Sequence, residues 1–349
     1  MPTTLHLDAS RPADRERAAQ ILREGRLVAF ATETVYGLGA NALSADAVAR
    51  IFEAKKRPSW DPLIVHLASA SQLADITRLP PPLAFRISAL ANAFWPGPLT
   101  LLLPRNANIP DAVTAGGPLV GVRVPAHPAA LALLEAAHLP IAAPSANLYG
   151  HTSPTTAAHV LADLDGRIDA VLDAGPTSIG LESTVLDPTQ TPMVLYRPGA
   201  ITASRLTAVT GVAVEIFQPG ESSPSTPQQA LPSPGVGLRH YAPHARLVLV
   251  EGSSEALNRE LLTLANDPTH HVGVLIPSGW PVDIFSHKYP AILEPWADWN
   301  DPHSLAARLF AGLRSLDDRG ATVIVCPLPE PGGMSDAIRD RLRKAARPA

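Results

Sequence analysis

Residues 31–66 constrain this chain most strongly, because they combine two polar loops with the two apolar strands that would hold them. The apolar run at residues 27–30 predicts a buried strand. The short polar side chains of Thr32, Glu33 and Thr34 follow the end of that run. Polar loops that leave apolar strands are where ligand-binding groups concentrate, so this stretch predicts one side of a small-molecule site.

Two glycines come next, and their spacing has two interpretations. Gly37 and Gly39 allow the backbone to turn sharply or to approach another molecule closely. With Ala42 they also match the G-x-G-x-x-A pattern of dinucleotide-binding proteins. In that fingerprint the glycines follow the strand directly, whereas here Thr-Glu-Thr-Val-Tyr intervenes, so a nicotinamide nucleotide is not favoured as the ligand.

The second polar loop carries Lys55, Lys56 and Arg57 and is stiffened by prolines at 58 and 62. The apolar residues 63–65 then predict a strand that ends at His66. Taken alone, the basic residues fit a solvated turn, and His66 fits a core histidine. The pairing of two rigid polar loops favours a ligand site instead.

Composition and charge exclude several classes of protein. The chain has 349 residues, enough for two domains, and its 46% hydrophobic content indicates a globular protein. A net charge of −4 argues against a protein whose main function is binding nucleic acid. The single cysteine, Cys326, lies in an apolar run and excludes a disulfide framework or a cysteine metal site within one chain. Without a signal-peptide pattern or a run of membrane-spanning length, a cytoplasmic location is expected.

Three regions follow from the apolar patterns. Strand-like and helix-like segments alternate irregularly through residues 1–211, which predicts a twisted α/β sheet of mixed direction. Residues 212–244 lose apolar periodicity and gain prolines, so they predict an extended linker that acts as a lid. Residues 245–349 contain three strand-like runs with intervening helices and predict a small Rossmann-like domain.

Further loops repeat the arrangement of a short apolar strand followed by polar residues in a proline- or glycine-fixed turn. Two of them contribute Arg123 and Arg197, whose guanidinium groups suit carboxylates and phosphates. Familiar alternative sites are missing from the sequence. Residues 175–180 have P-loop glycine spacing, but Leu181 and Glu182 replace the phosphate-binding Lys-Ser/Thr. Neither H-E-x-x-H nor G-x-S-x-G occurs.

Read in order, these motifs resemble the YrdC/Sua5 family. They are T-x-T-V-Y-G-L-G, K-x-R-P-x-x-x-P-L, P-G-P-L-T, R-x-P, P-S-A-N, G-L-E-S-T and R-P-G, between about residues 17 and 211. The segment G-L-R-H-Y-A-P at residues 237–243 is similar to the linker motif of the longer Sua5 type. The C-terminal unit resembles the Sua5 domain loosely.

The resemblance implies a twisted mixed-sheet YrdC-like domain, a linker and a small Sua5 domain. It implies an L-threonylcarbamoyladenylate synthase, a nucleotidyltransferase that converts L-threonine, bicarbonate or CO₂, and ATP into threonylcarbamoyl-AMP and pyrophosphate. Separate threonylcarbamoyl-transferase proteins would then modify adenosine 37 of tRNA. Mg²⁺ would arrive with ATP and not in a protein-held site. No membrane partner and at most weak direct tRNA binding are expected.

The resemblance also implies roles for individual residues. The threonine site would consist of Thr34, His66, Arg123, Ser183 and the backbone of Ala143. The ATP site would consist of Lys55, Arg57, Asp61, Ser145, Asn147, Ser153 and Arg197. Tyr241 in the linker is added to the ATP site on its own chemistry, because its flat ring can cover a nucleotide and its hydroxyl can bond a phosphate. Lys55 and Arg57 would be catalytic, near the triphosphate and the carbamate. The alternative roles are turn or helix caps for Asp61, Asn147, Ser153 and Ser183, and packing of the linker onto the second domain for Tyr241.

Two departures from the family pattern and one alternative function remain open at this point. Tyr149 stands where a serine is common, and Leu119 stands where a threonine is frequent. The alternative is a double-stranded RNA or tRNA-binding module without catalysis, which would need basic residues spread over an exposed face. A carbamoyl-transfer accessory domain is disfavoured, because no zinc-finger or acylphosphatase-like segment is present.

Overall fold

A computed structural model of the protein describes residues 3–218, 231, 233, 235, 240–264, 266–281 and 291–347. The chain forms two compact units. The first comprises Met1–Tyr149, Pro154–Ser178 and Glu182–Gly237, and the second comprises Gly150–Ser153, Ile179–Leu181 and Leu238–Ala349. Most of the proline-rich part of the predicted linker, including residues 219–230 and 236–239, lies outside the described residues, so its role as a lid stays a prediction.

The described part of the first unit contains an eleven-stranded sheet. Its strands are β1 (Leu5–Asp8), β2 (Val28–Ala31), β3 (Tyr36–Asn41), β4 (Ile64–His66), β5 (Leu99–Pro104), β6 (Leu119–Arg123), β7 (Ile141–Ala142), β8 (Ala170–Asp173), β9 (Thr184–Asp187), β10 (Met193–Arg197) and β11 (Val214–Ile216). Their order in the sheet is β1-β8-β2-β3-β7-β4-β6-β5-β9-β10-β11. Neighbours β4 and β6 are parallel, whereas β5 and β6 are antiparallel, so the predicted mixed sheet is confirmed.

Helices cover both faces of this sheet. They are α1 (Pro12–Arg23), α2 (Ala45–Lys55), α3 (Leu73–Ile76), α4 (Pro81–Phe94), α5 (Asp111–Thr114), α6 (Pro128–Ala137), α7 (Ala157–Leu164) and α8 (Ala203–Thr210). The main core includes Val48 and Ile51 of α2, and a second core on the opposite face includes Ile21 of α1 and Leu134 of α6. Because both faces of the sheet are buried, every residue of β2 is buried and the strand is one continuous apolar run.

Helix α2 shows how local signals place a site residue. Its first turn is capped by Ser44, whose hydroxyl accepts a hydrogen bond from the amide of Ala47 at 3.2 Å. The helix ends at Lys55, because Lys56 adopts a left-handed conformation with a φ of 52°. Lys55 is therefore the last helical residue, and the polar loop begins directly after it.

The structure corrects the expected role of Gly37 and Gly39. Both lie inside strand β3, which pairs antiparallel with β2, and not in a sharp turn. A Cβ atom on Gly39 would lie only 2.9 Å from side-chain atoms of Ile141 and Phe30. The glycines are needed for close packing within the sheet, a requirement that local sequence does not show.

The second unit contains a four-stranded parallel sheet among its described residues. Its strands are β12 (Arg246–Glu251), β13 (Val272–Ile276), β14 (Ile292–Pro295) and β15 (Val323–Leu328), in the order β12-β15-β13-β14, and its helices are α9 (Ser254–Leu264), α10 (Pro302–Asp318) and α11 (Met334–Ala345). The predicted small α/β fold is confirmed, and the edge strand β14 was not predicted. Cys326 is buried in β15. None of the helices in the described ranges combines the length and the apolar character that crossing a bilayer requires.

Candidate active site

Strand register places three polar side chains in one row across the first unit's sheet. His66 at the end of β4 pairs with Arg123 at the end of β6. Val122 pairs with Leu101 in antiparallel β5, so Arg123 lies opposite Thr100. Side chains alternate between the faces of a strand, and the neighbours in sequence of these residues belong to the main core: Val65, Val122 and Leu101. The polar row therefore lies on the opposite face of the sheet.

The loop after β2 presents Thr34 to this row. The hydroxyl of Thr32 accepts hydrogen bonds from the amides of Thr34 and Val35, at 3.2 and 3.3 Å, and so closes a compact turn. Arg123 Nη1 donates to Thr34 Oγ1 at 2.9 Å. Two residues that are 89 positions apart in sequence thus meet at one point, as the family resemblance implies for a threonine site.

Glu33 adds a negative charge that the proposed set of site residues did not include. Its Oε1 lies 2.6 Å from Arg123 Nη2, and both side chains are buried. The contact is an ion pair and does not have hydrogen-bond geometry. Among the described residues, Nε and Nη2 of Arg123 and both carboxylate oxygens of Glu33 have no hydrogen-bond partner. Buried polar groups are normally paired, so Nε of the arginine remains a donor suited to a carboxylate ligand, while Nη2 contacts Glu33.

His66 is buried and neutral in the physiological pH range. Burial, with a further effect of the positive charge of Arg123, lowers the pKa of His66 to about 3. Its Nδ1 lies 3.2 Å from the carbonyl oxygen of Ile64, and its ring packs edge-on against Phe30 with the ring centroids 6.2 Å apart. The side chain provides a fixed hydrogen-bonding group and does not add positive charge to the site.

Hydrogen bonds to neighbouring strands fix the backbone at Ala143, directly after β7. Its amide donates to the carbonyl oxygen of Ile64 at 2.8 Å. The following Pro144 accepts from the amide of Leu38 at 2.7 Å, and Ser145 forms a bridge with Gly37. These bonds attach the P-S-A-N loop to β3 and β4, so the loop is an extension of the sheet.

Lys55 lies beneath the P-S-A-N loop. Its Nζ donates to the carbonyl oxygen of Ser145 at 2.6 Å and to that of Asn147. Complete burial of Lys55 lowers its pKa well below the usual value, and the positive charge of nearby Arg57 lowers it further. An ammonium group has three donors, and here two of them fix the loop that was predicted to hold ATP. Lys55 therefore has a structural contact in addition to its predicted contact with phosphate.

Arg57 and Asp61 form a buried pair within the second polar loop. Arg57 Nη2 lies 2.9 Å from Asp61 Oδ1 and donates to the carbonyl oxygen of Pro62 at 2.8 Å. Arg57 Nε donates to the backbone carbonyl of Asp61 at 3.1 Å. Burial raises the pKa of Asp61, while the charges of Arg57, Lys55 and Arg197 oppose this increase. The guanidinium is thus fixed on three sides.

Arg197 connects the two halves of the predicted site. Its Nε donates to the carbonyl oxygen of Ser183 at 3.0 Å, and its Nη2 donates to the Ser183 hydroxyl at 3.1 Å. The Ser183 hydroxyl also lies 2.8 Å from Oγ1 of Thr100, which belongs to the polar row. The charge of Arg197 in turn favours ionised Asp61. A chain of polar contacts therefore runs from Thr100 in the Arg123 row to Arg197, whose charge acts on Asp61 in the Arg57 loop.

The glycine of the R-P-G motif has a steric role in this chain of contacts. A Cβ atom on Gly199 would lie 2.5 Å from the amide nitrogen of Thr184 and 2.7 Å from its hydroxyl. Only a glycine allows the segment after Arg197 to run this close to the residue after Ser183.

Two residues assigned to ATP lie in the second unit. Ser153 is fully buried there. Tyr241 has a φ of 66°, and its ring stacks on Phe310 with the centroids 5.9 Å apart and lies 5.1 Å from the guanidinium carbon of Arg341. These contacts show the packing that was considered as the alternative role of Tyr241. The assignment of both residues to ATP stays a prediction.

The sequence named Glu33 only as one polar group of the loop after β2 and gave it no role in the site, and it did not indicate Thr100. The ion pair of Glu33 with Arg123 joins residues that are far apart in sequence. Thr100 lies in an apolar strand, and only the register of β5 against β6 shows its relation to Arg123. Leu119, one of the two departures, pairs with Pro104 at the end of β6 remote from Arg123. Within the described ranges, no cluster of three or more His, Cys, Asp or Glu side chains is arranged to hold a metal ion.

Comparison with known proteins gives a consistent result for both units. A family model described as telomere recombination, for Sua5, YciO and YrdC proteins, matches residues 20–199. A model described as threonylcarbamoyl-AMP synthase, C-terminal domain, matches residues 201–347.

Individual relatives match nearly the whole chain. The threonylcarbamoyl-AMP synthase of Pyrococcus abyssi is 42% identical over 333 residues, which cover 94% of this chain and 93% of the relative. That of Bacillus subtilis is 45% identical over 334 residues, which cover 95% and 92%. The crystal structure of P. abyssi Sua5 complexed with L-threonine matches with a TM-score of 0.87 at 40% identity, covering 98% of this chain and 97% of that one.

Proposed function

Because this chain belongs to the threonylcarbamoyl-AMP synthase family in its longer, two-domain Sua5 form, we propose that it joins L-threonine, bicarbonate or CO₂, and ATP into threonylcarbamoyl-AMP and pyrophosphate. The protein is an enzyme, and the proposed reaction makes it a nucleotidyltransferase. Its product would supply the separate proteins that transfer the threonylcarbamoyl group to adenosine 37 of tRNA.

The proposal rests on the contacts that the guanidinium of Arg123 makes. This buried arginine donates to Thr34 through Nη1, its Nη2 lies 2.6 Å from Glu33 Oε1, and its Nε has no hydrogen-bond partner among the described residues. A fixed guanidinium with a donor of this kind suits the α-carboxylate of an amino acid. Thr34 bonds to this arginine and His66 pairs with it across neighbouring strands, and with Ser183 and the Ala143 backbone they would hold the rest of threonine.

The reaction needs placement of reactants and stabilisation of charge. The threonine amine adds to CO₂ and loses a proton, which gives a carbamate. A carbamate oxygen then forms a bond to the α-phosphorus of ATP, and the bond between that phosphorus and the bridging oxygen breaks to release pyrophosphate. Steps of this kind depend on positioning and on fixed positive charge more than on covalent catalysis.

The positive charge would come from the Arg57 loop. Lys55, Arg57 and Arg197 are the charged groups that we assign to ATP, and Asp61 fixes Arg57 among them. The loop that carries Ser145 and Asn147 rests on Lys55 and would complete this side of the site. Because the Asp61 carboxylate is already paired with Arg57, Mg²⁺ is proposed to enter as part of the Mg·ATP substrate, where it neutralises phosphate charge.

The alternative of an RNA-binding module without catalysis is disfavoured by burial. The four basic residues of the site are almost inaccessible to solvent: Lys55 is 1% exposed, Arg57 8%, Arg123 3% and Arg197 4%. An RNA backbone needs basic groups on an open face, and these side chains do not form one.

One pair of assays tests the proposal. Pyrophosphate release should require both L-threonine and bicarbonate, and omission of either should reduce it to background. A tRNA gel shift should show weak binding that disappears as salt rises. Tight tRNA binding without threonine-dependent pyrophosphate release would reject the proposed function in favour of the RNA-binding alternative.

A further inference from the structure

Tyr149, the residue that departs from the serine of the family motif, lies against the Arg57 loop. The guanidinium carbon of Arg57 is 5.7 Å from the centroid of the Tyr149 ring. The ring of Trp60 packs edge-on against the same ring, with the centroids 6.1 Å apart and an interplanar angle of 86°. The amide of Tyr149 donates to the carbonyl oxygen of Lys55 at 2.9 Å. The phenol is thus anchored to the end of α2, and its ring lies beside the guanidinium of the loop that follows.

The hydroxyl of Tyr149 acts on a second member of the same loop. It stabilises the ionised form of Asp61 and so lowers the pKa of a carboxyl that burial otherwise raises. Neither oxygen of Asp61 has a hydrogen-bond partner among the described residues. The hydroxyl therefore affects the carboxylate as a nearby polar group and not through a formed hydrogen bond. The other groups that face Asp61 are Arg57 from its own loop, Lys55 from α2 and Arg197 from β10.

These two contacts have different physical effects. An aromatic face attracts a guanidinium within about 6 Å of its centroid, so the ring restricts the plane in which the Arg57 fork lies. The Asp61 carboxylate pairs with the same fork, with Oδ1 2.9 Å from Nη2, and the hydroxyl favours the ionised form of that carboxylate. A serine in place of Tyr149 would be too short to reach both groups from the same backbone position.

We propose that Tyr149 is a positioning residue of the ATP-binding part of the site, where its ring aligns the Arg57 guanidinium that is paired with Asp61. The inference rests on the proposed function, because the purpose of aligning Arg57 is to bind phosphate. It makes Tyr149 a determinant of ATP affinity in this chain, and it leaves threonine affinity to the Arg123 side of the site.

Two variants separate the ring from the hydroxyl. Tyr149→Phe retains the ring and removes the hydroxyl, and Tyr149→Ser removes both. Tyr196→Phe is the matched control, because Tyr196 is a partly buried tyrosine that packs on Phe217 with the ring centroids 4.9 Å apart. ATP affinity is measured by calorimetry, and KM values for ATP and for threonine are measured by pyrophosphate release between pH 5 and 9.

The inference predicts that Tyr149→Ser, which removes the ring beside Arg57, weakens ATP binding by about fivefold, the size of effect expected for one cation–π contact. Tyr149→Phe retains the ring and should bind ATP within about twofold of the wild type. KM for threonine should stay within about twofold of the wild type in both variants. The acid limb of the pH profile should move to higher pH in Tyr149→Phe, because Asp61 loses a group that favours its ionised form. A residue that only packs against Trp60 would not move this limb.

The results separate failure of the inference from failure of the proposed function. Wild-type ATP affinity and an unmoved acid limb in both Tyr149 variants, with active wild type and active Tyr196→Phe, would overturn the inference alone. Absence of threonine-dependent pyrophosphate release in the wild type and in Tyr196→Phe would overturn the proposed function and the inference with it. If Tyr149→Ser does not fold, Tyr149→Leu, which keeps an apolar side chain but has no aromatic face, takes its place.

Discussion

Arg123 and Glu33 form a buried ion pair in which Nη2 lies 2.6 Å from Oε1 without hydrogen-bond geometry. Each member neutralises the charge of the other in a place where water is nearly excluded. The pair thus supports a buried arginine without using all of its hydrogen-bonding capacity. We expect this relationship to control both the stability of the first unit and its response to threonine.

The first prediction concerns Glu33→Gln. Removing one partner of a buried ion pair leaves an uncompensated charge and costs about 3–5 kcal/mol in the free energy of unfolding. Threonine should restore part of this loss, because its carboxylate supplies the missing negative charge. Urea unfolding with and without threonine measures both effects.

The control for this variant is Glu24→Gln. Glu24 forms an exposed ion pair with Arg26 at 3.6 Å, and its loss should change stability by less than about 1 kcal/mol. Equal unfolding curves for Glu33→Gln and Glu24→Gln, and equal responses to threonine, would show that the Arg123–Glu33 pair has no such role.

The second prediction concerns Arg57→Ala. The loss of fixed positive charge near developing phosphate charge should reduce pyrophosphate release by about 100-fold or more. It should also destabilise the first unit, because Asp61 is left as a buried carboxylate without its main partner. The double variant Arg57→Ala/Asp61→Asn should recover stability but not activity. Recovery of activity in the double variant would refute the assignment of Arg57 to ATP.

The third prediction concerns pH. An unfolded histidine has a pKa of about 6.5, whereas burial lowers the pKa of folded His66 to about 3. Between these values only the unfolded chain binds the proton, so folding stability should fall as pH decreases from about 6.5 towards 3. The expected slope is about 1.4 kcal/mol per pH unit. Urea unfolding from pH 4 to 7 should show a smaller slope for His66→Gln than for the wild type, and identical slopes would contradict the neutral, buried state of His66.

The sequence predicted those elements of the fold whose signals are local. The apolar run at residues 27–30 corresponds to β2 (Val28–Ala31), and the serine cap with helical spacing of Val48 and Ile51 corresponds to α2 (Ala45–Lys55). Strand β3 was not predicted, because its two glycines lower strand propensity and their reason is tertiary packing against Phe30 and Ile141. Edge strand β14 is short and ends in proline, so it also gave a weak signal.

The sequence predicted which loops form the site. It did not predict the distances between the side chains of those loops. Family motifs singled out Thr34 and Arg123, and the structure joins them by a hydrogen bond of 2.9 Å. The contact of Ser183 with Thr100 depends on sheet register, which a single sequence does not specify at long range. The same is true of Tyr149, which appeared only as a departure from a motif before its ring was seen beside Arg57.

Mass spectrometry of a reaction that contains the enzyme, Mg·ATP, L-threonine and ¹³C-labelled bicarbonate tests the central claim most directly. The account predicts a product with the mass of threonylcarbamoyl-adenylate that carries one ¹³C atom, together with one pyrophosphate per product. Labelled product should be absent when threonine or bicarbonate is omitted. A preparation that binds both ATP and threonine but forms no labelled adenylate would contradict the account.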